Sequence, residues 1–308
     1  MTITRRSLLR KTAVGLLVPT AMSIALRSSW AQSSFSLGDF KIDVLSDGNL
    51  TLPGQLVFKD LPEAPLKAVL GRYGVSSDRV EPDCNLTLVR NGDHTIIFDV
   101  GAGPNLMPSA GKLLEALDTI ELDPSSVTHV AFTHAHPDHL WGLMDEFDEL
   151  LFPEAEYLIG KKEWDYWIDP RTIDKIGVER QAFAAGAMRN LTIIEDRIKF
   201  FGDGEEILPG IQARETAGHT PGHMAFEVRG GSESVMIVGD CIANHHVAFE
   251  KPGWQMGNDQ EPAQAAKTRA GLLDQLASEK QRIIGFHMPY PGIGHAEKKG
   301  NAYRFVLA

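Results

Sequence analysis

The sequence predicts an α/β sandwich, sheets covered by helices, on three observations. Short apolar strand-like runs come in two successive sets, helical patterns lie between them, and each half repeats one device, a hydrophobic strand ending in an acid beside glycine. In the first set the runs are residues 40–45, 86–90, 95–100 and 127–133, with Asn91-Gly92-Asp93-His94 as a hairpin turn between the second and third. The second set is 157–159, 207–214, 224–228, 235–238 and 282–285. Apolar residues at helical spacing predict helices over 110–117, 162–167, 178–188 and 262–276. The repeated device reads Ile96-Ile97-Phe98-Asp99-Val100-Gly101 in one half and Met236-Ile237-Val238-Gly239-Asp240 in the other, so that two acidic strand ends can converge on one edge. No short repeat and no Pro/Gly-rich linker divides residues 32–308, which read as one domain of two equivalent halves.

With 308 residues, 43% hydrophobic and 23% charged, the chain has the composition of an ordinary globular protein. Its formal charge is −11, yet the first 31 residues hold five basic groups and no acid, leaving 25 basic against 41 acidic residues in the remainder. So acidic a body has no electrostatic reason to bind nucleic acid or an anionic membrane, because both need clustered cations. A small neutral or apolar substrate fits better.

Residues 1–31 look like a twin-arginine export signal: Thr4-Arg5-Arg6-Ser7-Leu8-Leu9-Arg10-Lys11, a mainly apolar stretch over 12–26, then Ser29-Trp30-Ala31 with cleavage after Ala31. The stretch is shorter than the roughly 20 residues that cross a bilayer, and Gly15 and Pro19 interrupt it. A periplasmic or secreted protein without a membrane anchor is expected. Cys84 and Cys241 are too few for a disulfide framework; one bridge and two buried thiols both stay open.

The chemistry gathers in Thr133-His134-Ala135-His136-Pro137-Asp138-His139-Leu140-Trp141-Gly142, directly after an apolar strand. In extended chain, residues two apart point the same way, so His134 and His136 can present their rings to one point. Pro137 ends the strand, and Asp138 and His139 sit where the chain turns. Neutral imidazole and carboxylate are what zinc and similar divalent ions prefer. Downstream, Ala217-Gly218-His219-Thr220-Pro221-Gly222-His223 forces a tight turn that lets His219 approach a metal. Asp240 ends a buried strand, either as a carboxylate neutralised by cations or as an acceptor of backbone hydrogen bonds. His287 follows the run 282–286 and gains weight as the seventh member of the set.

In this order the seven residues resemble the metallo-β-lactamase superfamily pattern His-x-His-x-Asp-His followed by His, Asp and His, with intervals of 85 residues from His134 to His219, 21 to Asp240 and 47 to His287. The resemblance implies an αββα sandwich of two mixed sheets covered by helices. It also implies two divalent metal ions, zinc foremost, one held by His134, His136 and His219, the other by Asp138, His139 and His287, with Asp240 bridging. Asp99 would orient a metal-bound histidine. A hydroxide shared by the metals would attack the substrate, and Asp138 or Asp240 would relay a proton to the leaving group. No Gly-x-Ser-x-Gly elbow offers a serine nucleophile.

Within the superfamily, Leu37-Gly38-Asp39-Phe40, Leu45-Ser46-Asp47-Gly48, Pro291-Gly292-Ile293-Gly294-His295 and Tyr303-Arg304-Phe305-Val306 resemble methyl parathion hydrolase and its relatives, among which homodimers are common. Trp141 is a departure, a bulky indole where many members carry a small residue. The substrate pocket is expected at Trp141, Trp167, Phe183 and His223, from an aromatic group that includes Trp164 and Tyr166. His245 and His246 can also face it, whereas His94, His129 and His295 read as structural. Three functions follow: a hydrolase of aryl phosphotriesters or related esters, a lactonase on acyl-homoserine or other lactones, or an exported metal-binding protein without turnover.

Overall fold

A computed structural model describes residues 33–308; residues 1–31, expected to be an export signal, lie outside the described residues. The chain opens with β1 (Ser33–Leu37), β2 (Phe40–Asn49) and the short β3 (Leu52–Pro53), which pairs with β4 (Arg79–Val80). Next come β5 (Asp83–Asn91), β6 (His94–Phe98), β7 (His129–Phe132), β8 (Glu156–Gly160) and β9 (Ile198–Phe201). Strands β1, β2, β5, β6, β7, β8 and β9 form one seven-stranded sheet in that order. The first four pair antiparallel, the hairpin between β5 and β6 falling where Asn91-Gly92 predicts it, and β6 to β9 run parallel. A second seven-stranded sheet takes β10 (Glu206–Leu208), β11 (Ile211–Glu215), β12 (Met224–Gly230), β13 (Glu233–Ile237), β14 (Arg282–Ile284), β15 (Ile293–Lys299) and β16 (Ala302–Leu307). Within it, β13 and β14 are parallel.

Alternation along the strands builds the layers. On β6, Ile96 and Phe98 enter the core between the sheets while Ile97 faces the helices; on β13, Val235 and Ile237 point inward and Met236 outward. Between the sheets, the rings of Phe98 and Phe201 lie 4.8 and 5.6 Å from that of Phe226. The helices Leu113–Thr119, Lys161–Ile168 and Gln181–Ile193 cover the first sheet, and Pro262–Glu279 covers the second, where Leu272, Leu273 and Leu276 are buried. The result is the αββα order, mixed sheets inside and helices outside.

Two strand expectations need correction. Residues 157–159, grouped with the second half, form β8 in the parallel part of the first sheet, between β7 and β9. The run 207–214 is two strands, because Pro209 lacks an N–H and Gly210, at φ 80°, turns the chain back. The helix expected from 178 begins at Gln181, and that expected from 110 begins at Leu113. Cys84 and Cys241 are both buried free thiols.

The site residues follow the carboxyl ends of strands at one edge of the sandwich. Asp99 follows β6, His134 follows β7, Asp240 follows β13 and His287 follows β14.

Candidate metal centre

The parallel pairs β6/β7 and β13/β14 end at the same edge, and the chain breaks there into short turns whose side chains are buried but not apolar. His134, His136, Asp138, His139, His219, Asp240 and His287 are all under 9% exposed. Pro137 starts the single turn Pro137–Leu140, which swings Asp138 and His139 back under the two histidines before it.

The seven side chains converge. Nδ1 of His136 lies 3.0 Å from Nε2 of His134 and 2.9 Å from Nε2 of His219. On the other side, Nε2 of His139 lies 3.4 Å from Asp138 and from Asp240, and Nε2 of His287 lies 3.2 Å from both carboxylates. Asp240 joins the two groups, being also 3.4 Å from Nε2 of His219.

The opposite ring nitrogens are engaged from behind. Nδ1 of His134 meets Thr133 Oγ1 at 3.0 Å, Nδ1 of His139 meets Asp99 Oδ2 at 2.8 Å, and Nδ1 of His287 donates to the Asp83 carbonyl at 2.8 Å. His219 Nδ1 lies 3.1 Å from Asp259, and His136 Nε2 lies 3.1 Å from the Gln260 amide. Asp99 is itself fixed, its carboxylate accepting from the amide and hydroxyl of Thr133 at 2.8 Å each, on a backbone at φ 63° that a strand end must be held to keep.

The residues fit a divalent cation on their own chemistry. Asp138 Oδ2, His139 Nε2 and Asp240 Oδ1 are buried and have no hydrogen-bond partner among the described residues, a costly state unless a cation completes it. Three sets of donors each lie within 4.8 Å of one another: His134, His136 and His219; His134, His139 and Asp240; and Cys84, Asp138 and His287. Burial holds the thiol of Cys84 up at about 12, and the sequence did not point to it.

The two groups differ electrically. Burial, reinforced by the neighbouring imidazoles, pushes His134 and His136 well below the ordinary histidine range, so both rings are neutral. Burial also opposes charge on His139 and His287, but the carboxylates outweigh it and raise both well above that range. The same pairs overcome the desolvation of Asp138 and Asp240 and hold both ionised.

Beyond the seven residues opens a cavity of about 310 Å³, into which His136, Asp138, His219, Asp240 and His287 face. Its walls are chiefly aliphatic: Leu50, Leu52, Leu56, Val57, Val75, Val80, Leu106 and Met107, with Phe58 and Phe183 as the aromatic surfaces. Phe183, His245 and His246 line it as expected. Three expected pocket residues do not. Trp141 turns its indole against the helix Gln181–Ile193, where a Cβ on Gly186 would fall 2.5 Å from the ring, so the glycine makes room for the bulky side chain. Trp167 is fully buried behind His136, its indole donating to Glu163 at 2.6 Å. His223 is buried in the wall, with Nδ1 against Thr216 and Nε2 accepting from the Asp240 amide at 3.0 Å, and so positions a carboxylate instead of substrate.

Sequence reasoning missed Glu163. Fully buried, it accepts from Ala135 N, Trp167 Nε1, Thr220 Oγ1 and Gly222 N, tying the loop of His134 and His136 to that of His219. The available signal was the helical pair Glu163 and Trp167, an acid four residues before a buried indole.

A family model described as the metallo-beta-lactamase superfamily matches residues 80–287. The chain belongs to this superfamily. It is 28% identical over 204 residues to metallo-beta-lactamase domain-containing protein 1 of Xenopus laevis, across 65% of this chain and 70% of that protein. Among solved structures it is similar to AbOPH, a hydrolase in the beta lactamase superfamily, at 28% identity and a TM-score of 0.83. It is similar also to AidC, a dizinc quorum-quenching lactonase, at 25% identity and a TM-score of 0.85. Each comparison covers 90% of this chain and 97% of the other. Superfamily membership and these neighbours support a metal-dependent hydrolase, and the fold implies divalent metal ions, usually zinc.

Proposed function

We propose that this protein is a two-metal hydrolase of small uncharged esters, with lactones or esters bearing an aliphatic acyl chain as the favoured substrates. The observation that carries the choice is the cavity wall, aliphatic on most sides and ending at the carboxylate and imidazole cluster. Similarity to a named lactonase supports the same reading. His134, His136 and His219 would hold one zinc ion, Asp138, His139 and His287 the other, with Asp240 between. Bound there, divalent ions supply Lewis acidity and bring the pKa of a water towards neutrality.

The chain's own residues do the rest. Leu50, Leu52, Val57 and Leu106 exclude water and take up the apolar part of the substrate. Asp138 and Asp240, both ionised and both facing the cavity, can accept a proton from the attacking water and return it to the departing oxygen.

Aryl phosphotriesters are the second reading. Phe58 and Phe183 offer two ring faces for an aryl group, and the terminal segments resemble methyl parathion hydrolase-like enzymes. The test is to assay zinc-loaded protein on acyl lactones of increasing chain length and on aryl phosphotriesters, with chelated controls. Lactone turnover that rises with chain length and stops on chelation supports the first reading. Preference for the phosphotriester reverses the order, and metal uptake without turnover of either leaves a binding protein. Export through residues 1–31 belongs to the same proposal, and cell fractionation checks it.

A further inference from the structure

We infer that Asp259 and Gln260, neighbours on the loop 251–261, are positioning residues for His219 and His136, and that Gln260 acts as a hydrogen-bond acceptor through Oε1. The inference rests on the metal-binding reading above and adds to it the device that sets the three-histidine group.

A cation among the three rings dictates where their protons sit. Nε2 of His134 and Nε2 of His219 lie 3.0 and 2.9 Å from Nδ1 of His136, and all three can bind one cation only as lone pairs. Their protons then belong on Nδ1 of His134, Nδ1 of His219 and Nε2 of His136. The first two have acceptors in Thr133 Oγ1 and Asp259 Oδ1. The third faces Nε2 of Gln260 at 3.1 Å, which sets donor against donor, while Oε1 of Gln260 is buried without a partner. Turning the amide by about 180° resolves both faults, since the oxygen and nitrogen ends are nearly the same size and are assigned from their partners. Gln260 Oε1 then accepts from His136 and directs its Nδ1 to the cation, as partners behind metal-bound histidines do.

The loop is built to hold these two side chains. Asp259 Oδ2 lies 3.2 Å from Nη1 of Arg269, a fully buried guanidinium whose remaining nitrogens donate to the carbonyls of Pro252 at 3.1 Å and Trp254 at 2.6 Å. Each of the three guanidinium nitrogens thus has a partner, one of them the Asp259 carboxylate. The loop backbone is joined to the His219 turn by Gln260 N to the His219 carbonyl at 3.0 Å and Glu261 N to the Gly218 carbonyl at 2.9 Å. Two of the three imidazoles in this group are therefore oriented by adjacent residues of one loop, whereas His139 and His287 are backed by Asp99 and the Asp83 carbonyl on the first sheet.

The test titrates zinc into metal-free wild type, D259N, Q260L and Q260E against a competing chelator, with circular dichroism to show that each is folded. Wild type should take up two equivalents. Q260L and D259N should weaken one equivalent by about 10–100-fold and leave the other in place, while Q260E, which keeps an acceptor, should stay within a few-fold of wild type. If Q260E loses as much as Q260L, the acceptor role is wrong. Two unchanged equivalents in Q260L and D259N overturn the inference alone, and a wild type that binds no ion overturns the metal reading and the inference with it.

Discussion

The two groups of side chains in the candidate metal centre are built in opposite ways from the same kinds of residue. The group of His134, His136 and His219 contains no carboxylate, and burial keeps His134 and His136 neutral. The group of Asp138, His139, Asp240 and His287 contains two ionised carboxylates, and these hold its histidines protonated in the absence of a cation. Equal burial thus gives opposite charge states, because the sign of a histidine's shift depends on whether an acid shares its pocket. Two imidazoles of the first group are already neutral, whereas an ion entering the second would displace protons.

The strongest way to break this contrast is to remove the residue common to both groups. Asp240→Ala should abolish tight uptake of both equivalents and lower any hydrolytic rate by more than the roughly 100-fold that follows loss of an outer partner, read by metal analysis and kcat. Asp99→Ala removes the acceptor behind His139 together with the acceptor of both Thr133 bonds. It should weaken one equivalent about 10–100-fold while the three-histidine group keeps its own, and equal weakening of both would show that the groups are not independent.

Acid should separate the two groups further. Raised pKa values on His139 and His287 mean that binding in the second group displaces protons, so its affinity should fall by about tenfold per pH unit for each proton displaced, below those raised values. The three-histidine group, in which burial keeps His134 and His136 neutral, should show the shallower dependence. Proton release on adding zinc to a weakly buffered sample measures the difference. The smallest effect is expected from Trp167→Phe, which removes one donor to Glu163 and a little volume. It should cost about 1–3 kcal/mol in thermal or denaturant unfolding and leave substrate preference unchanged, as suits a side chain behind His136 and not on the cavity wall.

Much of the fold was legible because alternation is a local property. Ile96, Ile97 and Phe98 declare two faces within three residues, and the Asn-Gly pair marks the β5/β6 turn. Strand β15 and the edge strand β16 were harder, since Glu297, Lys298 and Lys299 dilute the pattern where one side of the ribbon meets water. Assigning β8 to a sheet needed the pairing partners β7 and β9, which no property of residues 157–159 names.

By itself the sequence determined the seven metal-binding candidates and the acid behind them, because ligand chemistry restricts the residue types and a two-residue strand period with one proline fixes how His134 to His139 are presented. Only the tertiary structure decided what surrounds them. Glu163, Asp259 and Gln260 act through contacts with residues 28 to 124 positions away. Trp141 and Trp167 turned into the protein because Gly186 left room for one and Glu163 bonded the other. An aromatic side chain carries the same local signal whether it faces a cavity or a core, and its direction is set by the neighbours that packing brings to it.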